Sequence, residues 1–245
     1  FDVQIFPRYH QLDVIRKIRN NVKKEGVGHN YLIQHTTGSG KSYSIGWLSH
    51  TLTSLYQKDG DTKRMFDTIL VVTDRKVLDK QLQNTVSKLE QTGGVVNPVE
   101  MGSKQLKEYL EKGKDIIITT IQKFPFVSEV ISELKGHTFG VVIDEVHSSQ
   151  TGETSKHLKK SLSVNEEEEG ELDYEEVIRK EIESRGKQEH ISFFGFTGTP
   201  KNKTLELFGR RNEDGHYVPF HSYSMKQSIQ EGFTLDVLQN YTTYK

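Results

Sequence analysis

Ile33-Gln34-His35-Thr36-Thr37-Gly38-Ser39-Gly40-Lys41-Ser42 is the stretch on which the fold turns. An apolar run precedes it and an amphipathic stretch follows, so a glycine-bearing loop joins a strand to a helix. Small glycines let backbone N–H groups turn inward on a phosphate, and a helix start favours an anion. In such a loop Thr37, Gly38, Ser39 and Gly40 line the phosphates. Lys41 reaches the β- and γ-phosphates, and the Ser42 hydroxyl ligates Mg²⁺. The general pattern places a further glycine three residues before Gly38; His35 stands there instead.

Working outward, short apolar runs at 31–34, 68–72, 115–119, 140–144 and 191–196 read as strands. Three of them lack polar alternation, as strands do when helices cover both faces of a parallel sheet. Helices are expected at 9–23, 41–56, 76–89, 103–112 and 125–135. Strand and helix alternate, which predicts an α/β fold with a mainly parallel sheet.

Two further motifs follow at strand ends. Val141-Val142-Ile143-Asp144-Glu145-Val146-His147 is an apolar strand closing on two carboxylates. That pair suits magnesium-dependent nucleotide hydrolysis: Asp144 holds the hydrated metal, and Glu145 orients and polarises the attacking water. Phe193-Phe194-Gly195-Phe196-Thr197-Gly198-Thr199-Pro200 runs an aromatic strand into a turn with two hydroxyls, at the sheet edge where ligands bind.

The 245-residue chain carries 33 Lys and Arg against 34 Asp and Glu, a formal charge of −1. A basic excess, the usual footprint of phosphate-backbone binding, is therefore missing overall. The balance is uneven, however. Residues 165–186 hold ten acidic and three basic groups, which leaves 30 basic and 24 acidic groups in the rest. This acidic insertion hides a mildly basic body. Its Glu166–Glu169 block reads as solvated loop, and Val177, Ile178 and Ile182 could give part of it a weak helical face. The absence of cysteine excludes disulfides, thiolate zinc sites and cysteine nucleophiles. No apolar run approaches the ~20 residues that a membrane span needs. A cytoplasmic location with no membrane partner is the expectation.

Together the loop, the Asp-Glu-Val-His box and Thr-Gly-Thr-Pro resemble motifs I, II and III of superfamily 2 helicases and translocases. The closer resemblance is to the restriction (R) subunit of type I restriction-modification enzymes, where a His before the loop is usual. Val71 to Leu82, Ile117 to Phe124, Ile143 to Gln150, Phe194 to Lys201 and Glu231 to Leu238 continue the likeness over nearly the whole chain. The resemblance implies a RecA-like P-loop domain at 1–220, the first motor domain of an ATP-driven double-stranded DNA translocase. Residues 221–245 would be a connector toward a second motor domain.

Roles carry over by position. Arg8 and Gln11, in Pro7-Arg8-Tyr9-His10-Gln11, would read adenine. Lys41 and Ser42 would serve phosphate and Mg²⁺, and Asp144 and Glu145 the metal and the water. Thr197, Thr199 and His147 would couple the ATP site to the motor cycle. Asp74, Arg75, Thr119 and Thr120 would lie near the DNA. ATP and Mg²⁺ are the implied cofactors; double-stranded DNA and the methyltransferase (M) and specificity (S) subunits are the implied partners.

After Pro200 no further strand-helix set is expected, and no nuclease-like carboxylate arrangement precedes the loop. A fragment without its second motor domain should hydrolyse ATP slowly or not at all. Two alternatives stay open: another superfamily 2 DNA or RNA helicase, or a nucleotide-switched scaffold that never touches DNA.

Overall fold

A computed structural model describes residues 5–58, 60–73, 76–90, 93–100, 102–145, 149–150, 172–186 and 188–236. Its centre is a sheet whose inner strands are buried along most of their length. β2 (Thr68–Thr73), β4 (Ile116–Thr120) and β8 (Ile191–Thr197) are buried at every position. Such strands need cover on both faces. With β1 (Asn30–His35), β3 (Val96–Pro98), β5 (Phe139–Asp144) and β11 (His221–Tyr223) they form a seven-stranded sheet ordered β11-β1-β8-β5-β2-β4-β3. Every pairing in it is parallel.

The pleat sends alternate residues to opposite layers. Ile69, Val71, Ile118, Val142 and Phe194 pack under α1 (Tyr9–Glu25), α2 (Lys41–Thr53) and α3 (Lys76–Lys88). Leu70, Val72, Ile117, Val141 and Ile143 pack on the other face. There α4 (Ser103–Glu111), α5 (Phe124–Glu133), α6 (Tyr174–Arg185) and α7 (Asn202–Phe208) cover them. Each such side chain, fully buried, contributes about 1.5–3 kcal/mol. On α1 the residues Val14, Ile15, Ile18 and Val22 form the inward stripe expected of a 3.6-residue period.

All five expected strands and all five expected helices are present, with shifted ends. α2 stops at Thr53 rather than Tyr56. Thr53 and Ser54 hydroxyls donate back to the His50 carbonyl at 2.9 and 3.1 Å, and Tyr56 bridges to Arg64 instead. Such back-bonding competes with the next helical turn.

One feature sharpens the sequence reading and two depart from it. Much of the acidic insertion is structured: α6 buries Ile178 beneath α5, and Arg179 pairs with Glu183 at 2.8 Å. The Glu166–Glu169 block lies outside the described residues. The stretch expected as connector from 221 starts inside the sheet, with β11 parallel to β1 through Ile33↔His221 and His35↔Tyr223. A helix, α8 (Met225–Gln230), follows β11, so a short strand-helix pair does occur after Pro200. Its strand has three residues and no aliphatic one, which is why no apolar run announces it.

Two small antiparallel pairs complete the fold, β6 (Ser149–Gln150) with β7 (Leu172–Asp173), and β9 (Arg210–Arg211) with β10 (Tyr217–Val218). No helix among the described residues is long and apolar enough to cross a membrane.

Candidate nucleotide-binding site

Because the strands are parallel, all their C-terminal ends reach one edge, and β1, β8 and β5 lie side by side there. The three motifs therefore meet although they are far apart in sequence. The loop after β1 holds Gly38 at φ 81° and Gly40 at φ 82°, a region that side chains enter only with strain. Gly40 is also crowded: a Cβ on it would stand 2.7 Å from Gln11 Nε2. Thr37 and Gly38 are exposed, and Ser39 is buried.

Lys41 opens α2 and reaches across to the end of β5, its Nζ 2.8 Å from Glu145 Oε1. The two side chains are 11 and 28% exposed. Glu145, at φ 55°, is the one non-glycine residue with positive φ among the described residues. Strain of this kind costs about 1–3 kcal/mol and collects at functional positions. Asp144 ends β5 beside it with its Oδ1 buried. The turn after β8 leans on the loop: a Cβ on Gly198 would lie 3.5 Å from Thr37 Oγ1 and 3.8 Å from the His35 carbonyl oxygen. Thr197 is buried there and Thr199 exposed.

The other flank of the loop is built from rings. His10, on the first turn of α1, donates from Nε2 to the Ser39 carbonyl at 3.0 Å and stacks on Tyr223 at 3.8 Å. His35 Nε2 lies 2.9 Å from His221 Nδ1, and His221 Nε2 lies 3.0 Å from Asp13 Oδ2. A carboxylate only accepts, so His221 donates to Asp13 and its Nδ1 accepts from His35. Burial, reinforced by repulsion from His221 and His10 were they protonated and by the Lys41 charge, pushes His35 down to about 2. Burial also lowers His10 and His221, against the raising pull of the Ser39 carbonyl on the first and of Asp13 on the second. All three rings are neutral at physiological pH. The described residues contain no cluster of three or more His, Cys, Asp or Glu able to hold a metal.

Of the two expected adenine readers, Arg8 caps α1 with its guanidinium carbon 4.0 Å above the Phe233 ring. Gln11 is 3% exposed and bonded to the loop and to Arg8. Thr119 and Thr120 end β4 at 1 and 8% exposure, so they sit beneath the edge rather than on it. Thr119 Oγ1 has no hydrogen-bond partner among the described residues. Asp74, Arg75 and His147 lie outside the described residues.

Several residues of this region went unassigned at the sequence level. Glu231 accepts from the Tyr9 hydroxyl at 2.8 Å and from the Tyr223 hydroxyl at 2.7 Å, fastening α8 to α1 and β11. The available signal was Ser224-Met225-Lys226-Gln227, a helix-start pattern. Ser224 Oγ does accept from the Gln227 amide, at 3.2 Å.

The chain is 26% identical over 220 residues, 88% of its length, to the endonuclease subunit of the type I restriction enzyme SsaAORF53P from Staphylococcus saprophyticus. It is 30% identical over 219 residues, 83% of its length, to that of HindI from Haemophilus influenzae. It spans 20 and 18% of these two relatives, about a fifth of their length.

Among solved structures, a nuclease-deletion mutant of the Type ISP restriction-modification enzyme LlaGI, in complex with a DNA substrate mimic, matches 96% of the chain. That match covers 22% of the enzyme, with a TM-score of 0.56 and 14% identity. The Hef helicase domain of Pyrococcus furiosus matches 98% of the chain and 40% of its own, with a TM-score of 0.54 and 15% identity. These likenesses establish a RecA-like helicase fold. The SWI2/SNF2 ATPase family model matches residues 10–167, more than half of the sequence, and the chain belongs to that family.

Proposed function

We propose that this chain is the ATP-binding motor domain of a type I restriction endonuclease R subunit, which couples ATP hydrolysis to movement along double-stranded DNA. The observation that carries the reading is the Lys41–Glu145 contact at 2.8 Å, which brings a phosphate-binding cation and a water-activating carboxylate together at the sheet edge. Lys41 would turn from Glu145 to the β- and γ-phosphates when nucleotide enters. Glu145, released, would orient the attacking water.

The donor set also fits a magnesium ion. Ser42 offers a hydroxyl in the first turn of α2 and Asp144 a carboxylate at the end of β5, both hard oxygen donors. Bound there, Mg²⁺ would neutralise charge on the phosphates. Thr197 and Thr199 stand on the turn that leans on the loop, a suitable route for coupling nucleotide state to DNA grip. His147 is proposed for the same coupling.

The DNA would run along the strand ends near Thr119 and Thr120, and Asp74 and Arg75 are proposed to contact it. Thr119 and Thr120 are buried, main chain included, so they would support the DNA path from beneath rather than touch its phosphates. The relatives' description as type I endonuclease subunits supports M and S subunits as partners and a cytoplasmic setting.

Lys41→Ala should weaken ATP–Mg²⁺ binding by about 1.5–3 kcal/mol, the scale of a hydrogen bond to a charged group. Isothermal titration calorimetry measures it, and unchanged affinity would remove the loop from the phosphate-binding role.

A further inference from the structure

The two margins of the sheet differ in what fastens them. β3 carries no titratable side chain. β11 is fastened to β1 and α1 through rings as well as through backbone. The Phe220 amide donates to the Leu32 carbonyl at 2.9 Å, and the Thr36 amide to the Tyr223 carbonyl at 3.0 Å. Thr36 begins the phosphate loop, and its hydroxyl donates to Met225 Sδ at 3.5 Å. Past α8, Thr234 Oγ1 stands 3.9 Å from where a Cβ on Gly38 would lie. β11 and α8 thus strap one side of the loop.

The rings that hold this strap have no place for a further proton. His35 donates from Nε2 to His221 Nδ1, and His221 donates from Nε2 to Asp13. The remaining nitrogen, His35 Nδ1, is buried without a hydrogen-bond partner among the described residues. A proton added there would find nothing to accept it. A proton added to His221 Nδ1 would face the His35 N–H. Moving the His35 hydrogen to Nδ1 relieves that clash only by stranding the same buried donor. His10, stacked on Tyr223, is alike: Nε2 donates to the Ser39 carbonyl, and Nδ1 is buried without a partner. A buried donor left unpaired carries the cost of its lost hydration.

The surrounding groups do not offset that cost. α1 brings Arg8, Tyr9, Asp13 and Lys17 toward the rings, α2 brings Lys41, and Glu231 follows α8. β8 presents Phe196, which carries no charge. Asp13 already takes the His221 hydrogen, and Glu231 takes those of the Tyr9 and Tyr223 hydroxyls. The cations oppose another positive charge. Burial leads the lowering of all three rings.

We infer that β11 and α8 form an acid-released strap on the phosphate loop, with His35 and His221 as the positioning residues that hold it while neutral. Leaving β1 would expose the rings to water, where each takes up a proton as an ordinary histidine does. Opening therefore gains in acid what the docked strap refuses. The release is local: it loosens the loop while the rest of the sheet stays paired.

The test is amide hydrogen exchange followed by NMR on the whole chain, with rates corrected for the pH dependence of intrinsic exchange. The Thr36 and Phe220 amides report the β1–β11 junction. The Val99 and Ile116 amides, bonded to the Ile118 and Val95 carbonyls at 3.0 Å, report the other margin. From about pH 7.5 to about pH 5.5 the first pair should lose protection by roughly tenfold for each ring that opening exposes. The second pair should keep its protection. His221→Gln retains a donor and an acceptor but cannot titrate, and should recover roughly a factor of ten. Unchanged protection at Thr36 and Phe220 in acid, or equal losses at both margins, overturns the inference. So does an undiminished loss in His221→Gln. The comparison of margins in the unsubstituted chain decides the matter even where that variant does not fold.

Discussion

On the β8 and β5 side of the phosphate loop, Lys41 and Glu145 meet as full charges, 11 and 28% exposed. On the α1 and β11 side, His10, His35 and His221 are 1, 0 and 8% exposed and neutral. The contrast follows from the cost of burying charge. An ion taken out of water without full compensation is expensive, so a desolvated flank must be neutral. The exposed flank keeps its charges available to exchange one partner for another, and the buried flank holds the loop's backbone in place. Strain follows the same division, since Glu145 at φ 55° belongs to the charged flank.

The most damaging way to probe this division is at Glu145. In a full-length R subunit carrying this domain, Glu145→Gln should retain ATP binding and lose DNA-stimulated turnover by about 10²–10⁴-fold, the range of a positioned acid-base group. Steady-state ATPase assays decide it; normal turnover would show that the charged flank is structural only.

A smaller effect should come from pH on the neutral flank. His35 is held down to about 2 when folded and titrates near ~6.5 when unfolded. Below about pH 6.5 the unfolded chain takes up a proton that the folded domain refuses. Stability therefore falls with pH, by up to about 1.4 kcal/mol per unit from this residue, and is level above that range. His10 and His221, also lowered, act with the same sign. Urea midpoints at pH 7 and pH 5 measure the slope, and His35→Gln should reduce it. An equal slope in the variant would contradict a neutral, packed flank.

The smallest effect belongs to Asp13, at the solvent end of the histidine chain. It is 42% exposed and its partner Lys17 is 55% exposed, at 2.7 Å. Asp13→Asn keeps an oxygen for His221 and should cost no more than about 1 kcal/mol in chemical denaturation. A larger loss would mean that the charge reaches further into the buried flank than its exposure suggests.

What could be read in the sequence follows the same physical lines. Thr68 to Val72 and Gly140 to Asp144 announce themselves because buried parallel strands are unbroken apolar runs. β3 and β11 have three residues each and take their burial from neighbours, so no local pattern marks them. α6 was only faintly marked, by Val177, Ile178 and Ile182 among crowding glutamates, and Ile178 is the one seen fully buried. At the site, Lys41, Asp144 and Glu145 were legible as motifs. That they share one site was implied by the resemblance; the direct Lys41–Glu145 contact was not, because it depends on β8 inserting between β1 and β5. Phe233 over Arg8 joins opposite ends of the chain, and spacing carries no trace of it. His221 carries no motif, and its structural role comes from burial supplied by α1 and β1.

Among the described residues the seven-stranded sheet ends on each side in a three-residue strand, and the β3 side finishes in Pro98. An edge strand exposes a row of unpaired amides and carbonyls that can recruit another chain. Here that row is cut short at both margins, and Pro98 has no N–H to offer. Once β11 has docked beside the longer β1, a sheet this apolar is thus guarded against pairing with its own copies.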